Sequence, residues 1–358
     1  MIPASLNLVA PKSVGRPFSR WFLGALGGLV LLYLGIALMI DPRRDFGTGL
    51  FPVVSLDSRR DKIRLFEEYN RRGAVEGIVL GSSRSMKLAC SELDAISGLR
   101  WFNFSVDSAR AEDYLAIYRW VRARDPRLGV LLIGLDVEAL HDNLAMDDRL
   151  KANQVLMSAL DGNRPSAYRR TTDFLGLMKT VFSRYYAQDI LRSLRAALRP
   201  APALMAFDKD GLLHYGLWEG ERSAGRFQLT KHLEESHEEY RLRFVQMQGL
   251  SARRKNQVEA LIMEAQRDRV RVVLWMTPLH PDLAAFLDRE TRYAKLLDET
   301  RIFAERIRVE FGIPVLDLST PAAFEGTDSG WYDGGHMDEE NSKRVVDGLA
   351  TAIRQHGI

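Results

Sequence analysis

The chain carries one cysteine, Cys90, in 358 residues. An internal disulfide and a thiolate metal cluster are therefore excluded, and a lone thiol fits either redox compartment. Charge of one sign is also missing. Fifty Lys and Arg stand against 47 Asp and Glu, a net of +3, and no basic run interleaves with aromatics, so nucleic acid is not expected as a partner. No repeat of fixed period occurs. With 46% hydrophobic and 27% charged residues, the bulk is ordinary folded protein rather than a disordered tail. The length admits one large α/β domain with an insertion, or two small domains.

One long uncharged run is present. Phe22 to Ile40, FLGALGGLVLLYLGIALMI, is nineteen residues without a charge. As a helix it spans about 28 Å, close to the hydrocarbon thickness of a bilayer. Arg20 and Asp41 bracket it, and Trp21 and Tyr33 are aromatics of the interfacial type. A buried core helix and a cleaved signal peptide are the alternatives. The run is long for a signal, and no Ala-x-Ala site follows it. The reading is a tail over 1–21, an uncleaved anchor over 22–40, a juxtamembrane linker and helix over 41–73, and a body over 74–358. Lys12, Arg16 and Arg20 precede the span while Arg43 and Arg44 follow it, so the positive-inside rule narrowly favours a cytoplasmic N-terminus. The expected location is the cytoplasmic membrane, single-pass, with the body extracytoplasmic.

Beyond the span, strands alternate with helices. EGIVLGSSRSM reads as strand, tight turn and helix, RWFNFS as a short strand, and Ala111 to Pro126 as a helix with Leu115, Tyr118 and Val121 on one stripe. LGVLLIGLDVEAL is a continuous apolar run, as expected of a strand buried on both faces of a parallel sheet. Residues 141–250 break the rhythm as a polar, largely helical insertion with a basic helix near 174–199. The alternation resumes with a helix over 251–268, the strand VRVVLWMTP, a helix over 284–311 and the strand IPVLDLS. The loop DSGWYDGGHMDEENS precedes a C-terminal helix. Such a pattern implies a parallel sheet covered on both faces, with working groups at the carboxyl ends of its strands.

Those ends carry Gly81-Ser82-Ser83, Asn103-Phe104-Ser105, Gly134-Leu135-Asp136 and Thr277-Pro278-Leu279-His280. A serine hydroxyl needs a base, a group to orient the base, and donors for the oxyanion that forms. Asp333 and His336 lie three residues apart around Gly334-Gly335, where the backbone can fold tightly. With Ser83 they supply the roles of a serine triad in the order Ser, Asp, His.

GSSRS resembles the Gly-Asp-Ser block of the SGNH (GDSL-type) hydrolases, with Ser82 in place of the aspartate and Ser83 as nucleophile. NFSVDS resembles the Asn-x-Gly-x-x-Gly block, with Ser105 and Ser108 replacing both glycines. GLDV lies where that family has Gly-x-Asn-Asp, so Asp136 takes the place of the oxyanion asparagine. DGGH matches the closing Asp-x-x-His block. The resemblance covers roughly residues 74–140 and 255–355. It implies a three-layer α/β sandwich with a central parallel sheet, SGNH-hydrolase-like and flavodoxin-like, catalysed by Ser83, Asp333 and His336. A carboxylate at Asp136 cannot donate to an oxyanion unless protonated, which leaves the backbone N–H groups of Ser83 and Ser105 for that role. The anchor, the Gly-Ser-Ser turn, WMTPLHP and the insertion resemble the anchored, SGNH-like proteins of polysaccharide O-acetylation and D-alanyl-lipoteichoic acid transfer. This implies an acyl-transfer or ester-hydrolysis enzyme acting on an envelope polysaccharide or acylated glycan, with a membrane-bound O-acyltransferase as a candidate partner. No metal or organic cofactor is required.

Plainer readings stand beside these. Ser83 is also a good helix cap, and Asp338 and Asn341 are better placed than Asp333 to cap the last helix. Asp333, His336, Asp338 and Glu339 form a conceivable metal loop, without a second histidine at useful spacing. Asp136 fits an ion pair with an arginine of the insertion. His280 fits a substrate contact. The altered oxyanion blocks would also suit a catalytically silent scaffold that binds a glycan or an acyltransferase.

Overall fold

The computed structural model describes residues 15–43, 45–48, 50–54, 57–162, 175–199 and 205–355. The chain forms two compact units. One joins residues 1–55 to 175–201, and the other joins 56–174 to 202–358.

In the first unit, Gly15–Ile40 is a single helix. Its Ser19–Ile40 portion is long and apolar enough to cross a membrane. Large side chains such as Trp21, Leu23, Leu29 and Leu31 are exposed along it, which a water-facing helix would not tolerate at this density. Only its far end is packed, where Ala37 and Ile40 meet Val181, Tyr186 and Ile190. The Tyr33 hydroxyl donates to Val181 O at 2.6 Å, and Arg43 pairs with Asp189 at 2.6 Å. The expected basic helix is two pieces, over 175–181 and Arg184–Leu198, broken at Phe182-Ser183. Its buried face serves the apolar helix. These residues, part of the stretch the sequence reads as an insertion, pack with the N-terminal segment.

The second unit is built on five parallel strands: β1 (Gly77–Leu80), β2 (Trp101–Asn103), β3 (Val130–Leu135), β4 (Arg271–Met276) and β5 (Val315–Asp317). Their spatial order is β2-β1-β3-β4-β5, as in flavodoxin-like sheets. Alternate residues face opposite layers, as the two-residue period of a strand demands. Ile78, Leu80, Leu131, Ile133, Val272 and Leu274 enter one core, closed by the helices Ala111–Arg122, Ala252–Arg267 and Tyr293–Phe311. Val79, Leu132, Val273 and Trp275 enter the other, closed by Cys90–Ser97 and Glu339–Gln355. The three-layer α/β sandwich expected from the alternation is the fold.

Two details differ from the sequence reading. The helix expected over 284–311 is two helices, Pro281–Glu290 and Tyr293–Phe311, separated where the Thr291 hydroxyl accepts from Tyr293 N at 3.1 Å. The insertion also contains a two-stranded hairpin, Ala206–Phe207 with Leu213–His214. Two-residue strands are too short to leave a periodic signal. This hairpin is tied to the sheet: Asn103 N donates to Asp210 O at 2.8 Å and Leu213 N to Met86 O at 3.0 Å. The buried Lys62 ammonium bridges Asn103 O at 2.8 Å and Gly211 O at 2.6 Å.

Candidate active site

In this strand order the chain reverses direction across the sheet between β1 and β3, which opens a crevice at their carboxyl ends. Ser83 follows β1 at that crevice and begins a short 3₁₀ turn, Ser83–Ser85. The turn is held from several sides. Ser82 Oγ accepts from Arg84 N at 3.2 Å, so the cap of this turn is Ser82 and the Ser83 side chain is left free of that duty. The Asn103 amide donates to Ser85 O at 2.8 Å and Leu88 O at 3.0 Å. The Ser85 hydroxyl occupies the space a side chain would need at Gly81 or Gly134; a Cβ there would lie 2.3 Å or 2.2 Å from it. Neither strand end accepts a larger residue while the turn keeps this shape.

Asp333 and His336 come from the loop before the last helix. Asp333 Oδ1 accepts from Gly335 N at 2.7 Å and His336 N at 2.8 Å. The carboxylate thus folds its own loop. Gly334 N donates to Ser236 Oγ at 3.0 Å, and Gly334 O accepts from His280 N at 2.9 Å. His336 Nδ1 lies 2.8 Å from Asp333 Oδ2, and Nε2 lies 2.8 Å from Ser83 Oγ. An ionised carboxylate only accepts, so Nδ1 carries the proton and Nε2 is left to accept from the serine hydroxyl. Ser83, Asp333 and His336 are therefore brought together across 253 residues of sequence.

The electrostatics follow from the geometry. Burial opposes charge on the His336 imidazole, but the Asp333 carboxylate and its hydrogen bond outweigh it, and the imidazole stays above its ordinary range. Burial likewise pushes Asp333 up, and His336 with the two backbone donors overcomes it, so the carboxyl lies below its usual range. The pair is a base oriented by a stable anion.

Asp136 lines the same crevice, next to Ser82 and Ser83. Thr277 Oγ1 lies 2.5 Å from its Oδ1. Its arginine neighbour is Arg84, at 4.0 Å, not a residue of the insertion. Arg84 is engaged more closely by Glu138 at 2.5 Å. Burial is the largest influence on Asp136 and raises its carboxyl above the ordinary range, aided by Glu138 and opposed by Arg84. The Thr277 hydroxyl donates to this carboxyl, so its Oδ1 serves as an acceptor.

Two expected roles change. The Ser105 N–H is taken by Asn103 Oδ1 at 3.1 Å, so it is not a free oxyanion donor. Ser108 holds a left-handed backbone, φ 50°, its N–H meets no acceptor among the described residues, and it lines one cavity with Ser83. The serine standing in the second glycine position of NFSVDS was the available sequence signal for this site. His280 is not a substrate contact but a structural cap. Its Nδ1 accepts from Asp282 N at 3.1 Å and its Nε2 meets Asp328 O at 3.1 Å, which commits both ring nitrogens. The loop acids have other duties too: Asp338 Oδ1 caps the final helix through Glu340 N and Asn341 N, at 3.0 and 3.1 Å, and Glu339 accepts from the Tyr332 hydroxyl at 2.7 Å.

Ser83 opens onto two cavities. One, about 190 Å³, is lined by Ser82, Arg84, Ser108, Arg110, Asp136 and Glu138 among others. The other, about 260 Å³, lies on the His336 side against Tyr215, Trp218, His232, Glu235 and Glu239.

No family model matches the chain, and no curated protein matches it in sequence. Among solved structures it is similar to a Bacteroides fragilis protein provisionally described as an acylhydrolase, at 9% identity and a TM-score of 0.38, over 82% of this chain and 96% of that one. Likeness at that level says nothing of chemistry, and the functional reading rests on the site itself.

Proposed function

We propose that the chain is a serine-dependent acyl-transfer enzyme or esterase of SGNH type, anchored by its N-terminal helix and acting on an envelope polysaccharide outside the cytoplasmic membrane. The observation that carries the chemistry is the continuous path Asp333–His336–Ser83, each link 2.8 Å.

In this reading Ser83 Oγ attacks the acyl carbonyl carbon while its proton passes to His336 Nε2. Asp333 holds Nδ1–H and steadies the imidazolium. The backbone N–H groups of Ser83 and Ser108 receive the developing oxyanion. Collapse breaks the bond to the alkoxy oxygen, which takes the proton from His336. Water or a second sugar hydroxyl then repeats the sequence in reverse. The exposed apolar surface of Ser19–Ile40 supports an anchor, and the charge balance around it supports an extracytoplasmic body. A membrane-bound O-acyltransferase would fit as the supplier of the acyl group.

Acetate release from an O-acetylated polysaccharide by the purified, detergent-solubilised chain tests the reading. Release by wild type that falls by about 10³-fold or more in Ser83→Ala supports it. A folded wild-type chain that releases and transfers no acyl group from any such polymer contradicts it and leaves the silent scaffold.

A further inference from the structure

The two cavities beside Ser83 have different chemistry, and the catalytic geometry assigns them different halves of an ester. His336 must hand its proton to the departing alkoxy oxygen, so the alcohol portion of the substrate lies on the imidazole side. The carbonyl oxygen points away from it, toward the Ser83 and Ser108 N–H groups. The smaller, charged cavity therefore faces the acyl oxygen, and the larger one takes the alcohol.

That larger cavity has an aromatic wall next to the base. The ring centroids of Tyr215 and Trp218 lie 5.7 and 6.5 Å from that of His336. Trp218 is held in place by a stacked Tyr332 at 5.8 Å and by His232 at 5.3 Å. Tyr215 is 6% exposed, yet its hydroxyl has no partner among the described residues and it borders the cavity. That oxygen is not sealed in the core but open to the cavity, so a ligand's polar group can reach it. Glu235 and Glu239 line the same space. We infer that this cavity is the alcohol-side subsite and that it takes a single pyranose ring. The apolar C–H face of such a ring suits the Trp218 indole, and its hydroxyls suit the Tyr215 hydroxyl and the two carboxylates. Apart from Ser83, Asp107, Asp333 and His336, the residues that line this cavity come from the insertion, between Met205 and Glu239; the insertion's role is to make a general acyl-transfer centre selective for sugars. This rests on the acyl-transfer reading above.

Two measurements on the detergent-solubilised full chain separate the subsite from the chemistry. In the acylation-silent Ser83→Ala protein, ligand-observed NMR with methyl 6-O-acetylglucopyranoside, whose other hydroxyls are free, reports binding without turnover. Saturation transfer from indole protons to the sugar ring is expected, and loss of it on adding Trp218→Ala. In the otherwise native protein, kcat/KM for methyl 6-O-acetylglucopyranoside is compared with that for triacetin, an acyclic acetate. Trp218→Ala should lower the sugar-to-triacetin ratio about tenfold or more. Tyr215→Phe, which keeps the ring and should fold, should lower it in the same direction with the loss in KM. Unchanged ratios in both variants, or sugar binding that ignores Trp218, overturn the subsite. Sugar binding at Trp218 with no turnover of either acetate by wild type would keep the subsite and defeat the catalytic reading instead.

Discussion

At the scale of single residues, the site depends on how Asp333 is spent. Its carboxylate accepts two backbone N–H groups of its own loop and the imidazole N–H at once. The first two bonds shape the loop, and the third sets the tautomer and basicity of His336. Asp333→Asn keeps the size but can present an acceptor or a donor to Nδ1, so it weakens both functions. We expect kcat to fall by about 10²- to 10⁴-fold. The pH profile is the more specific readout. The free base is the active form of His336, and its pKa is raised above the ordinary imidazole range, so wild-type kcat/KM should rise with pH through a midpoint above about 6.5. In Asp333→Asn that midpoint should move down. A midpoint that stays put in a folded variant would show that Asp333 does not govern the imidazole. The same shifts bear on stability. The raised imidazole stabilises the fold at pH below its unfolded value, and the contribution is lost as pH rises through the folded value. The lowered Asp333 carboxyl stabilises above its unfolded value and is lost as pH falls through the folded one. The three side chains that meet here, Ser83, Asp333 and His336, were legible in the sequence because Asp and His lie three apart and because the serine ends an apolar run. That the Ser105 N–H is already engaged was not legible. It turns on which N–H the Asn103 side chain captures, and spacing carries no information about that.

At the scale of elements, the two strand ends that frame the crevice are joined by one side chain. Ser85 fills the space above both Gly81 and Gly134, so the Ser83 turn sits down on the sheet with no room for a methyl group. Gly134→Ala must push the turn away from β3. We expect a loss of about 1–3 kcal/mol in unfolding free energy from overpacking. We also expect a fall in kcat larger than any rise in KM, because Ser83 leaves the reach of His336 while the cavities remain. Denaturant unfolding and steady-state kinetics on the same variant check both parts. Wild-type stability and kcat in Gly134→Ala would show the turn to be adaptable. Continuous apolar runs made β1, β3 and β4 readable as buried parallel strands. The Ala206–Phe207 hairpin was hidden for a different reason: its two-residue strands are held by Lys62 and by backbone bonds to Asn103 and Met86, contacts that are remote in sequence. His280 was misread because a polar residue at a strand end looks the same in sequence whether it faces a substrate or caps the helix that follows.

At the scale of the whole molecule, an apolar helix and the Ser83 crevice occur in one chain, and the function proposed requires them to serve the same compartment. The apolar surface of Ser19–Ile40 makes a water-soluble form unfavourable at about 25 cal/mol for each Å² exposed, so the full chain should fractionate with membranes and resist extraction by high salt. A reporter fused after Ile358 tests the side. Alkaline phosphatase there should be active and a green fluorescent protein dark if the body is extracytoplasmic; the reverse pattern removes the envelope polysaccharide as substrate. Charge counting pointed to this side only narrowly, because basic residues flank both ends of the span. The apolar run itself was plain in composition. What composition could not reveal is that residues 175–199 pack with it, since their buried face, Val181, Tyr186 and Ile190, reads in isolation as one stripe of an ordinary amphipathic helix.

The central claim is that Ser83 is an activated nucleophile. Reaction of the folded, full-length chain with a small fluorophosphonate, followed by peptide mass spectrometry, tests it most directly. A phosphonyl adduct on Ser83 that disappears in Ser83→Ala and falls steeply in His336→Ala is the expected result. No adduct at Ser83 in a folded protein, or labelling equally strong without His336, would contradict it.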